Sequence, residues 1–101
     1  MAASTPKPPA HLSTESKKLW QSILEQTDLE DAAQLAMLAM ALEALDRKEK
    51  ARKTLDKEGE VYHDKWDQPK PHPACTVERD SRAAAVNIFK TLGLQWTPEE
   101  E

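Results

Sequence analysis

The residues able to do chemistry are few and scattered. Three histidines, one cysteine and several carboxylate pairs are the only candidates in 101 residues. His72 and Cys75 stand three apart, a spacing a nucleophilic Cys–His pair can use, but Pro73 between them marks a helix start, so a catalytic pair is disfavoured. His63, His72 and Cys75 offer three possible zinc ligands, without the paired spacing of a zinc finger. Glu30 and Asp31 fall at a helix start, where the helix dipole already accounts for acids. Gly59 and Gly93 are the only glycines, so neither a phosphate-cradling P-loop nor a dinucleotide fingerprint can be built. The expectation is no enzyme, no cofactor and no metal.

The basic residues form a denser pattern. Arg47, Lys48, Lys50, Arg52, Lys53 and Lys57 are six bases within eleven residues, and Lys17 and Lys18 form a second, smaller group. Asp46, Glu49, Asp56 and Glu58 are interleaved, so Glu43–Arg47, Asp46–Lys50 and Glu49–Lys53 are expected as i,i+4 pairs on a solvated helix. The sharper reading is a phosphate-contacting surface of Lys17, Lys18, Arg47, Lys48, Lys50, Arg52 and Lys53. The net charge of −4 opposes coating nucleic acid by charge alone. One cysteine excludes an internal disulfide and fits a reducing compartment. No stretch resembles a signal peptide, and no apolar run is long enough to span a bilayer. These features point to a soluble intracellular protein.

The elements that must position these residues are helical. Between Ala32 and Leu45, twelve of fourteen residues are apolar, and no Gly or Pro interrupts Leu29 to Glu58. The spacing predicts one helix over that span, capped by Asp28 and stopped by Gly59. Leu35, Leu38, Leu42 and Leu45 share one face. Ala33, Met37, Met40 and Ala44 share the opposite face, extended by Ala51 and Leu55. A helix apolar on two faces needs cover on both, and the chain has few other apolar elements. Homo-oligomerisation through Leu35, Met37, Leu38, Met40, Leu42 and Leu45 is therefore expected.

Around this helix the chain reads as a flexible Pro-rich arm over residues 1–10, a helical domain over 11–94 and an acidic tail over 95–101. A first helix is predicted over Thr14 to Gln26, capped by Ser13. Glu60 to Pro73 reads as an extended Pro-rich connector, with a brief strand pair allowed but no Gly to make its tight turn. A last helix is expected from about Ala74 to Leu92, with Pro73 at its start, Gly93 as its stop and an apolar stripe of Val77, Ala84, Ala85, Ile88, Phe89 and Leu92. The fold class is all-α, a helical hairpin with a long central helix.

Two segments together resemble a known family. His11-Leu12-Ser13-Thr14-Glu15-Ser16-Lys17-Lys18-Leu19-Trp20 is one. His72-Pro73-Ala74, followed about eighteen residues on by Leu92-Gly93-Leu94 and then Pro98, is the other. With a long helix ending in Gly59 between them, the chain resembles a bacteriophage terminase small subunit. The resemblance implies a non-enzymatic DNA-packaging factor in the host cytoplasm, forming ring-like homo-oligomers. It implies double-stranded viral DNA and the terminase large subunit, which holds the ATPase and nuclease, as partners. The alternative is a helical oligomerising adaptor with no DNA binding. A monomeric helix-turn-helix regulator is disfavoured, because the second helix is too long and too apolar to be a recognition helix.

Overall fold

Three helices and one β-hairpin make up the computed structural model, which describes residues 6–94. α1 spans Thr14–Gln26, α2 Ala32–Glu58, β1 Val61–His63, β2 Pro69–Pro71 and α3 Pro73–Thr91. The architecture is thus mostly helical, as expected, with a small antiparallel sheet added. The molecule is a rod, 65 Å long and 24 Å across, because its backbone is one helix of about 40 Å at 1.5 Å rise per residue.

α1 begins as its residues predict. Ser13 is the N-cap, its hydroxyl accepting from the Ser16 amide. α2 begins three residues later than the sequence suggests. Asp31, not Asp28, caps it: the Asp31 carboxylate accepts from the Gln34 amide at 2.9 Å, and Gln34 reaches back to the Asp31 and Glu30 amides. This reciprocal capping box satisfies donors that a cap at Asp28 would leave open. It also frees Leu29 from the helix, to be buried in the core at 8% exposure.

The core lies where the three helices meet. Trp20 from α1, Leu38, Ala41, Leu42 and Ala44 from α2, and Ala85 and Phe89 from α3 form it, with Leu12 and Leu29 at its edges. Trp20 is closed over by the described part of the N-terminal arm: its indole N–H donates to the Pro6 carbonyl at 2.8 Å. Beyond this core, α2 and α3 run on together as a two-helix stem. Ala51 and Leu55 are buried there, and Ser81 occupies the buried turn of α3 below Ala85 and Phe89. Val77, expected in that stripe, is instead 45% exposed.

The connector is the largest departure. Val61–His63 pairs antiparallel with Pro69–Pro71, Tyr62 opposite Lys70. No glycine is needed, because Asp67 takes the left-handed conformation itself, at φ 59°. Aspartate tolerates that region better than most side chains. Asp64 holds the reversal: its carboxylate accepts the Trp66 and Gln68 amides at 2.9 and 3.0 Å. His72 then caps α3, its ring accepting from the Ala74 amide. At the far end of α3, Gly93 at φ 79° lets the Leu94 amide bond back to the Phe89 carbonyl, the closure its sequence predicts.

Candidate nucleic-acid and subunit interfaces

The acids and bases along α2 do not pair as helical spacing suggests. Glu43 turns toward the N-terminal segment and meets the His11 ring at 2.5 Å. Asp46 points at the start of α1. It accepts from the Ser13 amide at 2.9 Å, the Ser13 hydroxyl at 2.7 Å and the Ser16 hydroxyl at 2.5 Å. Glu49 lies 3.7 Å from its neighbour Lys48. The acids expected to neutralise Arg47, Lys50 and Lys53 are therefore engaged elsewhere. None of these three cations forms an ion pair among the described residues, and all three are exposed.

Partial burial pushes the Asp46 carboxyl up. The Ser16 and Ser13 hydrogen bonds, with help from His11, outweigh that effect and hold it below the ordinary carboxylate value. Asp46 is thus a charged anchor between α1 and α2. It lies in an open groove between the start of α1 and the middle of α2, whose wall includes Lys48, Lys50 and Lys53. Lys17 and Lys18 sit on α1, half-buried and exposed respectively, and do not line this groove.

Arg52 has a different role from its neighbours. Its guanidinium lies 3.0 Å from Asp56, 3.0 Å from Glu78 on α3 and 3.9 Å from Glu60. Glu78 in turn meets Arg82 at 3.0 Å. Arg52 therefore ties the two helices of the stem together. Lys57, one turn beyond Lys53, is exposed and without an ion pair among the described residues. It extends the unpaired row Arg47, Lys50, Lys53 along α2. The i+3, i+6 and i+10 spacing was visible in the sequence; which acids turn away was not.

Of the residues considered for chemistry, His72 and Cys75 are absorbed by the stem's end, while His63 is exposed on β1. His72 faces Glu58 at 3.0 Å while capping α3, and the Cys75 thiol points at the Glu60 carbonyl at 3.6 Å. No group of three or more metal-binding side chains gathers among the described residues.

The two faces of α2 have unequal fates. Leu38 and Leu42 are fully covered by the chain itself, and Leu35 and Leu45 pack against the same core. Met40 is 56% exposed. With exposed Ala33 and Ala36 and half-buried Met37, it forms an apolar stripe at i, i+3, i+4 and i+7. Of the six residues considered for oligomerisation, Met37 and Met40 are the two on the outward side. No described helix is long and apolar enough to cross a membrane.

The model of one protein family, described as phage terminase, small subunit, matches residues 16–101. No curated protein and no solved structure matches the chain.

Proposed function

Because the chain belongs to the phage terminase small subunit family, we propose that it is a non-enzymatic DNA-packaging factor that binds double-stranded viral DNA and regulates the large ATPase/nuclease subunit in the host cytoplasm. The observation that carries the DNA-binding reading is the diversion of Glu43 and Asp46 toward α1 and the segment before it. It leaves Arg47, Lys50 and Lys53, with Lys57 beyond them, as a row of uncompensated cations. Lys48 lines the same groove as Lys50 and Lys53, and Lys17 and Lys18 add charge on α1. Such a row contacts phosphates, which positions a duplex without reading its sequence. Arg52 supports the stem rather than the contact.

Self-association supplies the rest. The stripe of Ala33, Ala36, Met37 and Met40 is the α2 surface left for a neighbouring copy, and its alanines allow close helix approach. A ring of copies multiplies a weak basic row by its copy number.

The test is DNA retention across a salt series, with Arg47, Lys50 and Lys53 reversed to Glu. The expected result is lost retention with an unchanged oligomer mass. Binding with the same salt slope after reversal removes this row from the contact. The net charge of −4 favours a second reading, a helical adaptor that binds protein alone. That reading predicts no DNA retention at any salt, since counterion release requires phosphate contacts.

A further inference from the structure

The hairpin packs little among the described residues: Tyr62 sets its ring edge-on to His72, centroids 6.5 Å apart. All six strand residues are exposed, Val61 at 55% and Tyr62 at 44%. A two-stranded hairpin on its own is marginal in water, so its surfaces invite a partner.

Its backbone states which edge is open. The bonds from the Asp64 amide to the Gln68 carbonyl and from the His72 amide to the Glu60 carbonyl fix the alternation. Glu60, Tyr62 and Asp64 direct their backbone groups at the second strand. By the same alternation Val61 and His63 direct theirs outward, and these outward groups have no hydrogen-bond partner among the described residues. On β2 the outward positions are Pro69 and Pro71. Proline has no N–H to offer, so that edge is closed to further pairing. The hairpin therefore has one edge able to add a strand and one unable to.

We propose that the β1 edge pairs antiparallel with β1 of a second copy of this chain, making a four-stranded sheet in the order β2-β1-β1-β2. The two-fold axis passes beside Tyr62, the only register that pairs all three residues: Val61 bonds His63 of the second copy in both directions, and the two Tyr62 side chains stand opposite each other. Val-Tyr-His carries no carboxylate or ammonium group, so no fixed like charges face each other across the seam. Just beyond these three residues the register sets Glu60 opposite Asp64 of the second copy, and each of these acids is engaged within its own chain, Glu60 near Arg52 and Asp64 by the Trp66 and Gln68 amides of its turn. Both outer edges of the combined sheet end on prolines, so this strand pairing joins two copies and no more. A second copy is favoured over a foreign strand because this self-pairing is closed. The contact lies on the hairpin, separate from the α2 stripe, and is independent of the DNA-binding reading.

The test uses the full chain and two readouts. Val61→Pro removes one outward donor, and its site is the mirror of Pro71, so the hairpin keeps its own bonds. Light scattering should show half the mass of the unmodified chain, with the same helical circular dichroism. The second readout needs no proline. In a Cys75→Ser background, Tyr62→Cys places two sulfurs across the seam at a non-hydrogen-bonded pair, where Cα atoms lie about 4.5 Å apart, within disulfide reach. Under mild oxidation it should form covalent dimer about tenfold or more faster than Lys70→Cys on β2, since paired strands hold the thiols at roughly millimolar effective concentration. An unchanged mass for Val61→Pro, or equal rates for the two cysteine variants, overturns the pairing. Mass lost in Met40→Glu but not in Val61→Pro would leave the α2 contact standing and remove this one.

Discussion

Asp46 ties the start of α1 to the middle of α2. It receives three hydrogen bonds from two serines at the start of α1, and those serines are otherwise an N-cap and a buried hydroxyl. Asp46→Ala leaves them without their acceptor and is expected to cost about 1–3 kcal/mol, read by urea denaturation. The pH dependence follows from the lowered carboxyl. Its folded value lies below its ordinary value of 3.8, so the folded state binds the proton less tightly than the unfolded chain. The stabilisation is full above the ordinary carboxylate range and is lost as pH falls through the lowered folded value. Below about pH 4 the unmodified chain should lose stability more steeply than Asp46→Ala. Equal slopes would mean that other carboxylates govern the acid limb.

At the scale of elements, helix starts and one buried ring decide the outcome. Asp31→Ala should lower stability by about 1 kcal/mol, because the capping box is lost, while Asp28→Ala changes it by only a few tenths. Thermal unfolding of the two variants separates a helix that starts at Ala32 from one that starts at Leu29. Phe89, 2% exposed, belongs to the core where all three helices meet. Phe89→Ala should cost roughly 3–5 kcal/mol, a large share of what a domain this small possesses. The loss should appear as an early thermal transition. Between those elements the hairpin is the least secured, and Asp67 is its pivot. Asp67→Gly relieves a left-handed residue and should hold or raise stability, whereas Asp67→Val should lower it.

The whole molecule is a rod with its core at one end and its hairpin at the other. Among the described residues the large exposed apolar side chains are Met40 on α2, Val61, Tyr62 and Trp66 on the hairpin, and Val77 on α3. Met40 belongs to the stripe proposed above for a neighbouring copy. Met40→Glu should reduce the solution mass and leave circular dichroism unchanged, since the side chain is outside the core. A mass unaffected by that change would remove Met40 from the proposed contact. The DNA surface belongs to this scale too. A row of three cations is weak in one copy, so retention should fall steeply whenever the mass falls, even in variants with every basic residue intact.

Much of this was legible from local pattern alone. Residue type and spacing determined α1 and its Ser13 cap, the long α2 and its Gly59 stop, Pro73 at the start of α3 and the closure at Gly93. Each rests on chemistry within four or five residues. The same locality explains the failures. Asp28 and Asp31 are both competent caps, and only Gln34 reaching back, with Leu29 drawn into the core, chose between them. The hairpin was legible only as an allowed strand pair, because its pivot is an aspartate in place of a glycine. The basic run read as self-neutralised, since Glu43 and Asp46 sit at ideal spacing from Arg47 and Lys50. Tertiary packing brought His11, Ser13 and Ser16 to those acids across some thirty residues, and a carboxylate goes to the best-aligned donors it can reach. The sequence by itself determined which helices form and which residues carry charge. Only the tertiary structure decided which charges remain unpaired, which face of α2 is left uncovered and which edge of the hairpin is open, because each depends on groups far apart in the chain.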